Sequence, residues 1–588
     1  MKSFFKYVLA TITGIGIVIV VLFMITVGLI TSMISQVGSS AESKVPENAV
    51  LYVSLNHGIT ERAAVNPFEG LEIPGYGQYK TMGLNDILGR LKAAKDDSRI
   101  KGIYFNPSSI NVGMASLKEI YNALLNFKES GKFIIAYSDT YTQKAYYLAS
   151  LADEIYINPE GSLDFKGFSS SITFMKEALD KLGVDMQVVK VGTYKSAVEP
   201  FILNEMSDAN RSQVSAYLGS MYSSFLDDVS RARGLSVDSL TLIADQYLIR
   251  NADDAVRLKF VDGKLYKDEL LTLLKKKLNI EESKDVASVS LLDYAEKAKT
   301  DVSADRIAVL YASGDIVDGE GTETNIGGDK FSRELRKLRR DKRVKAVVLR
   351  VNSPGGSALA SDIIAREVEL TNKEKPVIVS MGDYAASGGY YISALADSIF
   401  AERETLTGSI GVFGLIPNFK GLLNNKLGVH IDEVKTGKFA NLLSSPDRPM
   451  TAEERSIIQK EVERVYTTFM GKVADGRNMS IAEVDSIGQG RVWTGAQALD
   501  IGLVDAIGGM DRAVAAAAAK ANLENYRVVN YPSIKDPFSS LMSTSKEKIK
   551  MWMLADELGE LRNYVMQLKT VVRSSGIQAR MPYSLEVH

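Results

Sequence analysis

The sequence predicts an α/β chain that carries one parallel-sheet domain twice, behind a single apolar segment of membrane length. Three observations carry this: a self-repeat at a fixed offset, β-branched runs alternating with helical patterns inside each copy, and an uncharged N-terminal run. The chain has 588 residues, room for three or four folding units at about 100–200 residues each. Hydrophobic residues make up 45% and charged residues 24%, a composition that suits globular domains. Lys plus Arg number 70 against 72 Asp plus Glu. Nucleic-acid binders carry a basic excess, so no nucleic acid is expected as a partner. There is no cysteine, and the three histidines are His57, His430 and His588. This excludes thiolate metal sites, disulfide frameworks and cysteine nucleophiles. Any hydrolytic chemistry must run almost without histidine.

The first element is the run from Tyr7 to Met33, which holds no charged residue; Lys2 and Lys6 precede it and the next charge is Glu42. A helix needs about 20 apolar residues to cross a bilayer. A cleavable signal has an apolar stretch of only about 7–15, followed by a small-x-small site that is not evident here. The run therefore reads as an anchor, with residues 1–45 as cytoplasmic stub and transmembrane helix. Lys2 and Lys6 leave the N-terminus inside and the body outside the cytoplasm.

The duplication comes next. RIKGIYFNPSS from Arg99 matches RVKAVVLRVNSPGG from Arg343, and AYYLASLADEIYI matches GYYISALADSIFA, pairing Tyr146 with Tyr390 and Asp153 with Asp397 at a constant offset of 244. A fixed offset over so long a stretch marks a repeated domain. The repeats are expected over 46–303, including a linker around the charged stretch KKKLNIEESKDVASVS, and over 304–535. Alternating strand and helix patterns point to βαβ units and a parallel sheet. In the second copy KAVVLRV and PVIVSM read as strands, NSPGG as a turn before a helix near Ala358, SIFAE as a further strand, and TLTGSIGVFG as a loop. Catalytic groups of α/β proteins collect where such loops meet at one sheet edge. The tail, 536–588, carries Leu554, Leu558, Leu561, Val565, Leu568 and Val572 along one helical face. That spacing suits an amphipathic helix docking on its own domain or on a neighbouring subunit.

Two runs could carry chemistry in the second copy. In GDYAASGGYYIS, Gly382 to Ser393, Ser387 stands at a strand-to-helix junction where free N–H groups favour developing negative charge. It could equally cap that helix. In NSPGG, Asn352 to Gly356, paired glycines let a backbone N–H approach a ligand, as an oxyanion hole requires. The first copy has Gln143 opposite Ser387 and SSINV opposite NSPGG. Its own distinctive run is VGTYKSAVEPF, where Lys195 faces Ala440 in the alignment. One copy thus offers a candidate nucleophile and the other a candidate base. A lysine serves as base when desolvation keeps it neutral. The alternatives for Lys195 are a solvated surface lysine or an ion-pair partner of Glu199.

With GTYKSAVEPF, NSPGG, GDYAASGGYYIS and LTGSIGV in order, the chain resembles the signal peptide peptidase A family in its long, two-repeat, membrane-anchored form. The resemblance covers the apolar segment and both copies to about residue 530. It implies a tandem duplication of a Clp protease/crotonase-like domain behind one N-terminal transmembrane helix. It implies a serine endopeptidase that degrades residual signal peptides and other apolar peptides through a Ser–Lys dyad. Ser387 maps to the nucleophile, Lys195 to the general base, the backbone N–H groups of Gly356 and Gly388 to the oxyanion donors, and Ser409 to a hydroxyl that orients the lysine. A homo-oligomer, a ring such as a tetramer, is expected, held by its single span at the inner (plasma) membrane with the body on the periplasmic side. Walker loops and HExxH motifs are absent, so no cofactor is expected. Two other classes stay open: a non-catalytic membrane scaffold with a protease-like fold, and a crotonase-like thioester enzyme.

Overall fold

A computed structural model of the chain describes residues 45–63, 81–294, 305–443, 447–533 and 576–581, with scattered positions between 6 and 24. The expected span, 7–33, falls mostly outside the described residues; among those described, no helix is long and apolar enough to cross a membrane. The apolar stripe from Leu554 to Val572 lies wholly outside them.

Each copy builds a parallel sheet in the same order. In the first, the strands run Gly263–Lys264, Glu154–Leu163, Phe133–Tyr141, Ile100–Phe105, Ala49–Val53 and Ser288–Ser290 across the sheet. In the second, Ala506–Ile507, Ser398–Ala401, Val377–Ala386, Val344–Ser353, Arg306–Ser313 and Arg527–Tyr531 take the equivalent places. Strands covered by helices on both faces read as near-continuous apolar runs. Val344–Ser353 shows why: Val347, Leu349 and Val351 enter the core under one face, while Ala346 and Val348 meet Ala513 and Ala517 of helix Met510–Lys520 on the other. Helix Ala358–Asn372 begins where NSPGG predicts it, with the Ser357 hydroxyl accepting from the Ala360 amide.

The structure differs from the sequence reading in two places. The charged stretch expected as a linker carries Ser288–Ser290, an edge strand pairing with Val50–Tyr52. TLTGSIGVFG, read as one loop, holds strand Leu406–Gly408 and the start of strand Val412–Asn418. The second of these pairs with a segment from the other copy, more than 200 positions away. No local signal announces such a partner.

That pairing fuses the copies. Asp185–Val191 of the first runs antiparallel to Val412–Asn418 of the second, with Val191 opposite Val412 and Asp185 opposite Asn418. Beside them lie Gly576–Arg580, Gly355–Ser357, Ile316–Val317 and Ile326–Gly327, in that order. A buried polar cluster locks the same contact elsewhere. Arg350 donates to Glu61 at 2.8 and 3.1 Å and to Glu119 at 2.6 Å, while Ser116 donates from its amide and its hydroxyl to Asp383 at 2.9 and 2.7 Å.

Candidate active site

Lys195 follows the C-terminal end of Asp185–Val191, and Ser409 precedes the N-terminal end of Val412–Asn418. Because Val191 and Val412 are paired, the two loops leave the shared sheet at the same point. The second copy brings Ser387 to that point at the end of strand Val377–Ala386. Lys195 Nζ lies 2.9 Å from Ser387 Oγ, 3.0 Å from Ser409 Oγ and 3.1 Å from the Ser409 carbonyl oxygen. All three residues are buried. The two groups that the repeat alignment assigned to different copies therefore meet within one chain.

Ser387 has φ 55° and ψ −113°, a backbone state that costs a non-glycine residue about 1–3 kcal/mol and tends to be kept at functional sites. Its amide donates to the Gly408 carbonyl at 2.8 Å. Its side chain makes no capping bond to helix Gly388–Tyr391, so the capping alternative is not what the hydroxyl does. Gln143, its counterpart in the first copy, is a structural tie: its Oε1 accepts from the Lys166 and Gly167 amides, and its Nε2 donates to the Gly167 carbonyl.

Burial alone pulls Lys195 well below the ordinary lysine pKa, because a charged amine loses its hydration there. The proton wiring around a neutral amine closes. Its two N–H groups meet the Ser409 carbonyl and hydroxyl oxygens, and the Ser409 hydroxyl in turn donates to the Gly490 carbonyl at 3.3 Å. The amine lone pair is left for the Ser387 O–H. Glu199, the ion-pair partner considered from sequence, instead accepts from Ser207 and Asn210.

Sequence reasoning missed the residues that hold the lysine in place. Gly490, at φ 77°, packs so closely that a Cβ on it would sit 2.7 Å from the Lys195 Cβ. The Tyr194 amide donates to the Gln489 carbonyl at 2.8 Å. Gln213 donates to the Tyr194 carbonyl at 3.1 Å and to Ser196 Oγ at 2.9 Å, and accepts from the Val492 amide at 3.2 Å. Its signal is a polar residue on the buried face of helix Asp208–Arg233, legible only once its partners are known.

The glycines gather beside the serine. Gly388 follows Ser387 directly. Gly355, at φ 98°, lies so near that a Cβ on it would be 2.6 Å from the Gly388 amide nitrogen. The Gly355 amide donates to Ser353 Oγ at 3.2 Å, and Gly356 is the next residue along. A buried hydroxyl against a neutral amine, flanked by close-packed glycine backbone, is equipped for acyl transfer. Among the described residues, no group of three or more His, Asp or Glu could hold a metal.

The model of peptidase family S49 matches residues 126–281 and 369–524, once in each copy. The chain belongs to peptidase family S49. It is a serine protease with two S49 domains in tandem. Protease 4 of Haemophilus influenzae is 40% identical over 496 residues, covering 80% of each chain. Protease 4 of Salmonella typhi is 35% identical, covering 93% of this chain and 91% of its own. The chloroplastic serine protease SPPA of Arabidopsis thaliana is 33% identical, covering 92% of this chain and 78% of its own.

Proposed function

We propose that this S49 peptidase is a membrane-anchored endopeptidase that cleaves extended apolar peptides, residual signal peptides among them, through a dyad of Ser387 and Lys195. The observation that carries the reading is the 2.9 Å contact between a strained serine and a buried lysine whose other Nζ contacts are Ser409 oxygens. Lys195 takes the Ser387 proton as the serine oxygen attacks the scissile carbonyl. The N–H groups of Gly356 and Gly388 receive the oxyanion, each worth about 2.7–4 kcal/mol by analogy with other proteases. Lys195 then gives the proton to the leaving amine, and water hydrolyses the acyl-enzyme. Ser409 is the positioning residue: its two oxygens fix the direction of the lysine lone pair. In this reading the first repeat, 46–303, supplies the lysine and the second, 304–535, the serine.

The uncharged run from Tyr7 to Met33 supports a single anchor that holds the body at the periplasmic face of the inner membrane, where apolar peptides leave the bilayer. A homo-oligomeric ring belongs to the same reading. The test is labelling with a serine-reactive fluorophosphonate together with hydrolysis of a chromogenic peptide. The folded wild type should label at Ser387 and turn over, and Ser387→Ala should do neither while melting near the wild-type temperature. Hydrolysis near wild type in Ser387→Ala would overturn the assignment. A folded wild type that neither labels nor hydrolyses would favour a scaffold.

A further inference from the structure

One turn of the second copy grips both the lysine loop and the serine that orients the lysine. Gln489, Gly490 and Arg491 follow one another between helix Ile481–Ile487 and strand Val492–Thr494. Gln489 holds the lysine loop of the first copy: its carbonyl accepts from the Tyr194 amide at 2.8 Å and its side-chain oxygen from the Thr193 amide at 3.4 Å. Gly490 and Arg491 hold the Ser409 segment. The Gly490 amide donates to the Ile410 carbonyl at 2.7 Å, and the Arg491 carbonyl accepts from the Ser409 amide at 2.7 Å. The turn is itself braced, since Gln489 Nε2 donates to Asp485 at 2.6 Å and the Gln489 amide donates to the Tyr466 hydroxyl at 3.2 Å.

The bonds from Gln489, and that of Gln213 to the Tyr194 carbonyl, all grip main-chain atoms of Thr193 and Tyr194. They lie along one short line, and a loop can swing about a line. A swing there carries the Lys195 amine off its 2.9 Å contact with Ser387. The Arg491 side chain supplies a contact away from that line. Its guanidinium carbon lies 5.0 Å from the centre of the Tyr194 ring and 4.2 Å from the centre of the Trp493 ring. Both distances fall within the roughly 6 Å over which a cation is drawn to an aromatic face. A planar, weakly hydrated guanidinium suits such a bridge better than an ammonium does. Trp493 is fixed in turn, its indole N–H donating to the Ile487 carbonyl at 2.9 Å. Among the described residues Arg491 makes no ion pair; its partners are the two rings.

We propose that Arg491 is a positioning residue for the general base Lys195, acting by stacking on Tyr194 across the contact between the two copies; this rests on the Ser387–Lys195 reading. It acts through Tyr194 and not on the reacting atoms. The guanidinium holds the Tyr194 ring against the turn that also holds Ser409, so the lysine and the hydroxyl that orients it keep one spacing. Without it the lysine loop lifts, the proton has farther to travel, and water reaches the amine. Burial is what lowers the Lys195 value, so a wetter amine holds its proton more tightly.

The test is steady-state hydrolysis of a chromogenic peptide across a pH series, with thermal unfolding of each enzyme. The variants are Arg491→Ala, Arg491→Lys, Tyr194→Leu and the double variant Arg491→Ala/Tyr194→Leu. Arg491→Ala should lower kcat about tenfold, less than the roughly 10²-fold of a full ångström's misplacement. It should leave KM within a few-fold and move the rising limb of kcat/KM to higher pH. Arg491→Lys keeps the cation without the planar stack, so it should recover part of kcat and stay short of wild type. The double variant should be no slower than the slower single one, because both changes cut the same contact. A folded Arg491→Ala with wild-type kcat and an unmoved limb overturns the proposal, whatever its melting temperature. Additive losses in the double variant overturn it too, as does a lysine variant no faster than the alanine one. If Arg491→Ala does not fold, Arg491→Lys and Tyr194→Leu decide on the same kcat and pH readouts. Lys195→Ala, run beside them, separates the two readings. Hydrolysis at the wild-type rate by Lys195→Ala removes the dyad and the role of Arg491 with it. An inactive Lys195→Ala beside a wild-type-like Arg491→Ala leaves the dyad standing and overturns this proposal alone.

Discussion

Gly490→Ala should disable the enzyme without unfolding it. Gly490 belongs to the second copy, but what it touches is the lysine of the first. Its φ is 77°, and a Cβ there would stand 2.7 Å from the Lys195 backbone nitrogen and Cβ and 2.8 Å from its Cα. None of these atoms is the free end of a side chain that could swing away. Restoring ordinary contact at about 3.4 Å requires the loops to part by roughly 0.7 Å. Lys195 Nζ would then leave its 2.9 Å contact with Ser387. A misplacement on the order of 1 Å costs about 10²-fold in rate, whereas the left-handed backbone itself costs an alanine about 1–2 kcal/mol. The expected outcome is kcat lower by about 10²-fold with a modest fall in melting temperature. Gly471→Ala is the control: that glycine lies in helix Ala452–Arg477 with open space around it, so the change should leave kcat alone and gain up to about 1 kcal/mol of stability. Steady-state kinetics and thermal unfolding of the two variants decide the matter. A Gly490→Ala enzyme with kcat within a few-fold of wild type would refute the claim that this loop positions the lysine.

Two pH dependences follow. Protonated Lys195 cannot act as a base, so kcat/KM should rise with pH through its folded-state value, which burial sets well below 10.5; a rising limb centred near or above that value contradicts a neutral buried lysine. Burial, chiefly, raises Glu402 to about 8 and Glu404 to about 7, so the fold favours their neutral forms. Their contribution to stability is whole below the unfolded value near 4.5 and is lost as pH climbs through 7 to 8. Glu404→Gln should therefore raise stability relative to wild type more at pH 9 than at pH 5, by on the order of 3 kcal/mol; equal effects at both pH values in urea melts would remove the argument.

Much of the architecture was legible because a duplicated chain can be compared with itself. Strands at Phe133 and Val377, Glu154 and Ser398, and Ile100 and Val344 begin 244 positions apart, the same offset that the strings gave. The comparison also isolated Ser387 and Lys195, since each stands in a distinctive run that its counterpart lacks. What stayed hidden depends on register between remote segments. The pairing of Asp185–Val191 with Val412–Asn418 leaves no local trace, because any half-buried alternating run could accept either partner. Gly490 carries no signal of its own in the sequence, and its meaning appears only beside Lys195. GIQAR at 576–580 is too short and too polar to announce a strand, and it lies just beyond a far stronger helical stripe. Arg350 is an anomaly that the sequence reading passed over, a charge inside an apolar strand, and its partners Glu61 and Glu119 lie more than 200 positions away.

That anomaly bears on how a split site can be accurate. A site shared between two domains is only as exact as the contact that joins them, and an apolar interface tolerates sliding because its attraction has no direction. The charges at this contact do have direction. Arg350 of the second copy reaches Glu61 and Glu119 of the first, and Asp383, four residues before Ser387, accepts two bonds from Ser116. Moving one copy along the other by a single strand residue would break these bonds in a buried setting, where an uncompensated charge costs about 3–5 kcal/mol. Burial raises Glu119 above its usual range, and the Arg350 charge beside it works against that shift. The cluster thus penalises every register except the one in which Val191 faces Val412. Only in that register do the lysine loop and the serine junction emerge side by side.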